Sequence, residues 1–483
     1  MPAIKSGATP LTGTITISGT GNTITSIASD INDTAWAELV GGVLTIKCRY
    51  INISSDGELI IGSPNDFSVQ EELRHLFVGV NAYNRLYVYE GGSFKMYGDT
   101  KCILNYNCTS AQYPDYCNFY GNVHIEGDDT YQPTLKGGRR FYFYTQSLNQ
   151  TYADTSELTL LNCKIGEVHQ NNNYFLAYNY IWNTFQVKNV TYVNNLYTGL
   201  QYFLGMIETG FKILKSLLVF ENIKVDASAL NFNLSYGGNY HLKNCDITTF
   251  GATANNYQLY NFNHFIGVDK PTYWLSSHQF MNPHYGQIYR LILENVKYVN
   301  NYSVNSYTYQ NARVLVKDSS YPPSYVKPNL IYTGGELSCW NSDDWYSYVN
   351  LDNLASLAKK VFRLQLTVTD MQGNPIEGAV VTVNQKDGFE EFVFITEADG
   401  KPQCHTAVDG ILLTNRAKAT FAKTETIWSD SSNSSYHTVT VLKDGYKSET
   451  FNVIMDADKS QTVRLKKIQP VSLTLKGNLV VNS

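Results

Sequence analysis

Leu218-Val-Phe-Glu-Asn222-Ile-Lys-Val225 reads as a strand, a one-residue corner and a second strand. Apolar residues stand four and two positions before Asn222, and one and three positions after it. Alternation of period two on both sides of a fixed point turns one face of each strand inward. Asn suits the fixed point because it tolerates left-handed backbone angles and carries an amide that can bond a stacked neighbour.

The wording recurs five times: Leu158-Thr-Leu-Leu-Asn162-Cys-Lys-Ile165, Phe185-Gln-Val-Lys-Asn189-Val-Thr-Tyr192, Tyr240-His-Leu-Lys-Asn244-Cys-Asp-Ile247, Leu291-Ile-Leu-Glu-Asn295-Val-Lys-Tyr298 and Val314-Leu-Val-Lys-Asp318-Ser-Ser-Tyr321. Asn162, Asn189, Asn222, Asn244, Asn295 and Asp318 therefore form a candidate corner ladder. Their successive intervals are about 27, 33, 22, 51 and 23 residues, in the range of solenoid repeats. The long interval reads as two repeats with one corner unmarked. Asn-Gly hairpin turns are absent from these corners, which favours parallel stacking over antiparallel hairpins. Toward the N-terminus, Asn122 fits the pattern in part. Gly takes the corner role in Ser55-Asp-Gly-Glu-Leu-Ile-Ile61 and Tyr89-Glu-Gly-Gly-Ser-Phe94.

The expected organisation follows. Residues 1–40 are an N-terminal cap or attachment segment, because the first repeat of a stack must hide its edge. Residues 41–321 are a parallel stack. Residues 322–360 are a linker opening on Pro322-Pro-Ser-Tyr-Val-Lys-Pro328, with a short helix over 353–359. Strand-like runs with Asp-Gly turns at Asp387, Asp399, Asp409 and Asp444 make residues 361–467 a small β-sandwich. Residues 468–483 are a tail.

Composition agrees with an all-β chain: 483 residues, 16% charged and 13% aromatic, with 37 Tyr. A formal net charge of -5 gives no broad attraction to nucleic acid or anionic membrane, so neither nucleic acid nor membrane insertion is expected. The eight cysteines lack Cys-x-x-Cys spacing and read as free thiols, with Cys163 and Cys245 in one equivalent inward site. The opening Met-Pro-Ala-Ile-Lys-Ser-Gly has no leader character, so synthesis in a cytoplasm without a signal peptide is expected.

The stacked units resemble the right-handed parallel β-helix of the pectate-lyase-like superfamily, which includes polysaccharide lyases and hydrolases and phage tail spikes and fibres. Val368-Thr-Asp-Met-Gln-Gly-Asn-Pro-Ile-Glu-Gly-Ala-Val-Val-Thr-Val383, Thr396-Glu-Ala-Asp-Gly400 and His437-Thr-Val-Thr-Val-Leu-Lys-Asp-Gly-Tyr446 are similar to carboxypeptidase regulatory-like, transthyretin-like modules. The resemblance implies a right-handed parallel β-helix followed by an Ig-like or transthyretin-like β-sandwich. The pairing is similar to virion components of tailed phages: tail fibre, spike or decoration protein. That implies localisation in the virion, other virion proteins as partners, a homo-oligomer such as a trimer, and a host-surface polysaccharide as ligand.

Catalytic chemistry is not legible. A β-helix glycosidase needs two carboxylates about 5–9 Å apart on one face. Glu221 and Glu294 each precede a corner, and intervening repeats separate them. Asp128-Asp129 and Asp343-Asp344 read as solvated turn acids. No catalytic residue, metal ligand set or cofactor motif stands out, and the superfamily's catalytic motifs are not recognisable here. Arg139 and Arg140 are the only doubled Arg and could hold an acidic sugar. Tyr178, Tyr180, Trp182, Tyr273, Trp274, Trp340 and Trp345 lie in aromatic stretches that read as loops or edges, suited either to sugar stacking or to packing. The expected protein is thus a non-enzymatic structural or adhesion component. A polysaccharide depolymerase and a bacterial surface adhesin are the alternatives.

Overall fold

The computed structural model describes residues 3–76, 85–104, 106, 116–137, 140–144, 157–166, 174–178, 184–194, 202–205, 217–227, 231–233, 239–249, 257–261, 291–300, 304–308, 313–320, 329–331, 336–347, 349–351, 357–385, 391–404, 408–419, 424–427 and 437–469. The fold is all-β, with large sheets and few helices. The chain divides into two compact units. The first holds residues up to Lys360 together with Ala417–Thr426; the second is built mainly from Val361–Arg416 and the residues from Ile427 onward.

The first unit is made of three-strand repeats. Tyr50–Ile53, Glu58–Ile61 and Glu72–His75 are followed by Arg85–Val88, Ser93–Tyr97 and Lys101–Leu104, then by Tyr116–Phe119, Asn122–Glu126 and Thr134–Gly137. Each strand pairs in parallel with its counterpart in the next repeat, in registers such as Tyr50 to Arg85, Glu58 to Ser93 and Glu72 to Lys101. The first strands of the repeats gather in one 13-stranded sheet, and the second and third strands lie in a larger one. Inward residues close the core: Ile51, Ile53, Leu86, Val88 and Phe119 are all buried. The Phe119 ring lies 5.4 Å from Phe94 and 4.8 Å from Phe143. Each such side chain contributes about 1.5–3 kcal/mol on burial, so these repeats are held by their interior.

The six corners behave as their chemistry requires. Asn162, Asn189, Asn222, Asn244, Asn295 and Asp318 all have positive φ, between 47° and 56°, a region that costs most other residues about 1–2 kcal/mol. Amides link them across repeats: Asn189 Nδ2 donates to Asn162 Oδ1 at 2.6 Å, and Asn222 Nδ2 to Asn189 Oδ1 at 2.7 Å. Four corner N–H groups are also seen to donate to the carbonyl just before the next corner: Asn222 to Lys243, Asn244 to Glu294, Asn295 to Lys317 and Asp318 to Trp340. The residues just after the corners, Cys163, Val190, Ile223, Cys245 and Val296, are buried in one column. The seven described cysteines are free thiols; Cys108 lies outside the described residues.

Several sequence expectations change. Asn122 opens a strand and is no corner; the corner of that repeat is Gly127, whose carbonyl accepts from Asn162 Nδ2 at 2.8 Å. The same backbone bond places Gly98 in the column, because its N–H donates to Glu126. Gly57 and Gly92 stand at the other bend, before the second strand of each repeat, with Gly121 as their counterpart. There a Cβ on Gly92 would lie 2.5 Å from the Ser54 carbonyl oxygen, and one on Gly121 would lie 2.2 Å from that of Gly92. That column is Gly because the backbones touch. The 51-residue interval is not two repeats. Asn239–Lys243 pairs directly with Leu291–Glu294, so Asn244 and Asn295 belong to neighbouring repeats.

The stack also extends beyond residues 41–321 at both ends. Thr14–Ile17 already pairs in parallel with Tyr50–Ile53, and Ala3–Ser6 closes on it as an antiparallel strand. A helix over Ile24–Ile31, started by a reciprocal Thr23–Ser26 capping box, buries Ile24, Ile27 and Ile31 against this end. At the other end, Glu336–Trp340 pairs with Arg313–Lys317, and Leu357 onward pairs with Glu336–Cys339. Asn341, with φ 49°, adds a seventh corner, and its Nδ2 donates to Asp318 Oδ1 at 2.5 Å. Residues 322–360 therefore do not form a linker where described. Of the expected helix over 353–359, residues 353–356 lie outside the described residues and 357–359 begin a strand; a short helix lies at Asp343–Ser347.

In the second unit, Val380–Asn384, Glu391–Ile395, His437–Leu442 and Glu449–Val453 form a four-stranded antiparallel sheet. Leu364–Asp370 pairs in parallel with Lys459–Leu465. Leu366, Val368, Val381, Phe394, Val441 and Leu465 share its buried core. The expected turn after Thr369 is present: the Asp370 carboxylate accepts from the N–H groups of Gln372 and Asn374, and Gly373 takes φ 92°. No helix among the described residues is long and apolar enough to cross a membrane.

Candidate functional site

Two surfaces of the first unit carry the chemistry available to it. One is the row of residues immediately before the corners. Strand register places Lys188, Glu221, Lys243, Glu294, Lys317 and Trp340 side by side in successive repeats. Charges alternate along this row. Glu221 lies 3.3 Å from Lys188 Nζ and 3.5 Å from Lys243 Nζ. Glu294 lies 2.6 Å from Lys317 Nζ and 2.8 Å from His241 Nε2. Lys317 Nζ in turn stands 5.3 Å from the Trp340 ring centre.

This arrangement decides what the two glutamates can do. Burial alone would raise the Glu294 carboxyl, but Lys317 and then His241 hold it below the usual carboxylate value. Burial likewise opposes ionisation of Glu221, and Lys188 and Lys243 bring it down. A general acid for glycoside cleavage needs a raised carboxyl pKa. Both are shifted the wrong way, and a lysine occupies the position between them. Desolvation keeps His241 below its ordinary value despite Glu294.

The second surface is the outward face of the 13-stranded sheet. Ile51, Leu86, Cys117 and their partners two residues on are buried, so alternation places the intervening residues on the opposite face. One column runs Tyr50, Arg85, Tyr116, Arg140, Tyr174 in strict register. The next runs Asn52, Tyr87, Asn118, Tyr142. Tyr89 follows Tyr87 at the strand end, with ring centres 6.1 Å apart, and is 46% exposed. Arg49 lies over the Tyr50 ring at 5.1 Å. Asn118 is only 6% exposed, so this face is covered at that position. Among the described residues of this sheet's strands there is no Asp or Glu, while Lys5, Arg85 and Arg140 are present. Every ion-paired strand carboxylate of the first unit named above belongs to the larger sheet.

The residues expected from sequence fall unevenly on this map. Arg140 opens the strand Arg140–Tyr144 and is opposite Tyr116 and Tyr174. Tyr178 ends the strand Tyr174–Tyr178 opposite Tyr144, so the described part of this aromatic stretch is sheet. Trp340 ends a strand and covers Lys317. Trp345 is 0% exposed within the core; no sugar can stack on a ring without a free face, and it is a packing residue. Arg139, Tyr180, Trp182, Tyr273 and Trp274 lie outside the described residues. Sequence reasoning missed Tyr50, Arg85, Tyr87 and Tyr116. Their signal was four tetrads of one pattern, Tyr50-Ile-Asn-Ile, Arg85-Leu-Tyr-Val, Tyr116-Cys-Asn-Phe and Arg140-Phe-Tyr-Phe.

No group of His, Cys, Asp and Glu among the described residues has the geometry of a metal site. No known family model matches the chain, and neither a curated protein nor a solved structure matches it.

Proposed function

We propose that the chain is a non-catalytic structural and adhesion protein. In this reading the first unit is a right-handed parallel β-helix, and the second is a small β-sandwich of the carboxypeptidase regulatory-like type. The parallel registers and the single column of left-handed corners support the β-helix. A cohesive antiparallel core with Asp-Gly turns supports the module. The observation that carries the functional reading is the lysine between Glu221 and Glu294: the acids best placed to act together are spent on holding neighbouring coils.

Such a scaffold with a tyrosine-rich face suits a fibre, spike or decoration protein on a tailed-phage virion, working with other virion proteins as a homo-oligomer and contacting host-surface polysaccharide. The experiment is incubation of the full chain with capsular and other surface polysaccharides. Retention of the glycan without new reducing ends or unsaturated uronates is the expected result. Turnover of the glycan overturns the non-catalytic assignment in favour of a depolymerase.

A further inference from the structure

We infer that a row of lysines on the third strands of the repeats seats the first unit on an anionic phospholipid surface, along the headgroups and without entry into the bilayer. The partner is of a different class from the ligand of the adhesion reading, and the inference does not depend on that reading.

The row lies on a further face, one that carries charge but no reactive pair. Strand register puts Lys101, Lys164, Lys224 and Lys297 at every second position of a single column. Thr134, Thr191 and Asp246 stand between them. At about 4.8 Å per strand the lysines recur about every 10 Å, over a row about 30 Å long. All four are exposed, and none is ion-paired among the described residues. Lys188, Lys243 and Lys317, in the row before the corners, each face a glutamate instead.

The face is basic on an acidic chain. Its neighbouring column adds Arg74, Lys136 and, by register, Asp226. Arg74 is paired with Glu72, which opens the lysine column. Four lysines with Arg74 and Lys136 thus stand against Glu72, Asp226 and Asp246, a surplus of three positive charges where the formal net charge is -5. At physiological ionic strength charges more than about 8 Å away are largely screened. Adsorption therefore follows the face that touches the surface rather than the sum over the chain.

The residue types select the partner. Lysine offers a point charge on a flexible stem and asks for no fixed acceptor geometry, which suits headgroups that move laterally. The residues between the lysines have short side chains, so the ammonium groups reach a flat surface first. No aromatic ring stands in the column to stack on a sugar. None of the large apolar side chains exposed among the described residues belongs to it either, so contact stops at the headgroups. Each lysine close to an anionic leaflet is worth about a fivefold change in partitioning, so a single copy adsorbs reversibly.

The test is co-sedimentation of the full chain with vesicles of phosphatidylcholine alone and of equal parts phosphatidylcholine and phosphatidylglycerol, at low and high salt, beside a titration with polyphosphate. Binding to the mixed vesicles alone is expected, weakening with salt and releasing no trapped dye. Lys164→Gln with Lys224→Gln should lower partitioning about tenfold or more, with the thermal midpoint retained. Lys466→Gln with Lys467→Gln removes the same charge from exposed positions of the second unit and should change little. In the unaltered protein, mixed vesicles should protect Lys101, Lys164, Lys224 and Lys297 from acetylation, read by mass spectrometry.

No preference for the mixed vesicles, or equal loss in the two lysine pairs, overturns the inference. Binding that survives high salt, or release of the dye, overturns it in favour of apolar insertion. A Lys164 and Lys224 pair that weakens polyphosphate binding but leaves vesicle binding intact overturns it in favour of a soluble polyanion. The adhesion reading fails separately, through turnover of a glycan, whichever way the vesicles behave.

Discussion

Asn295 and Asn244 are 51 residues apart and touch: Nδ2 of the first donates to Oδ1 of the second at 2.8 Å. Elsewhere on the same ladder the partners are 27 or 33 residues apart. The bond is indifferent to how much chain intervenes. What fixes a repeat is the meeting of its corner with the corner before it, and inserted chain is accommodated between corners at little cost to closure entropy.

The ladder should therefore be sensitive to side-chain chemistry and backbone angle separately. Asn189 both donates to Asn162 and accepts from Asn222. Asn189→Gly removes the bonds but keeps the φ of 54° free of strain, for a loss of about 1–2 kcal/mol. Asn189→Ala adds the left-handed penalty, for a total of about 3 kcal/mol. Urea titrations of the two variants test the order; an Ala variant as stable as the Gly variant would show that the angle is not held there.

Gly121 offers a steric prediction. A methyl group at this position meets the Gly92 carbonyl oxygen at 2.2 Å, and backbone cannot swing aside as a side chain can. Gly121→Ala should cost about 3 kcal/mol and lower soluble yield. Gly373→Ala meets nothing within 4 Å and loses only the freedom of its φ of 92°, so it should cost less.

Acid should weaken the first unit through His75. This side chain is fully buried with Nε2 2.7 Å from the Cys48 carbonyl oxygen, and desolvation pushes its pKa down from 6.5 to about 4 despite that bond. The unfolded chain then binds the proton more readily, so the contribution is complete above pH 6.5 and is lost as pH falls toward 4. The loss amounts to roughly 3 kcal/mol. His437, buried against the Thr414 carbonyl, shifts in the same direction in the second unit. The His75 share is thus the difference between the wild-type pH profile and that of His75→Gln, which should be flatter between pH 6.5 and 4.

Glu294 and Lys317 form a pair in which each side chain is mostly buried, at 16% and 14% exposure. Glu294→Gln removes the carboxylate charge from the 2.6 Å contact with Lys317 Nζ and should cost about 2 kcal/mol. Lys317→Met should cost a similar amount, and the double variant less than the sum. Additive losses measured in such a cycle would show that the two do not act on each other. The Glu294 contribution has the same pH sense as that of His75: its folded pKa is depressed, so its share is present above 4.5 and vanishes as pH falls below that value.

What could be read in the sequence depended on whether a residue had one structural meaning or two. Asn at the corner has one, because few other residues tolerate φ near 50°; the ladder was legible for that reason. Gly has two. At Gly98 and Gly127 it sits in the corner column, and at Gly92 and Gly121 it permits backbone contact, so the early corners were placed at the wrong bend. The seventh corner escaped notice because Asp344 stands three positions after it, where the other units carry an apolar or aromatic residue, and the chain there enters the helix Asp343–Ser347. The residue directly after the corner is Ser342, the counterpart of Ser319. Its hydroxyl accepts from the Ser319 N–H at 3.0 Å and donates to the Trp340 carbonyl, which makes a polar residue acceptable in a buried site. The tyrosine and arginine face was hidden for another reason: its residues are spaced by insertions, and only strand register aligns them.

Among the seven Asn or Asp corners, Asp318 is the one without an amide. It accepts from Asn341 and its backbone N–H reaches the Trp340 carbonyl, but a carboxylate has nothing to donate to the corner before it. Ageing would write the same change elsewhere. Deamidation of Asn222 would set a carboxylate against Asn189 Oδ1, where a 2.7 Å amide bond now stands, and Asn is among the thermolabile side chains. The column that gives the stack its register is thereby also a clock, run by the slow hydrolysis of its corner amides.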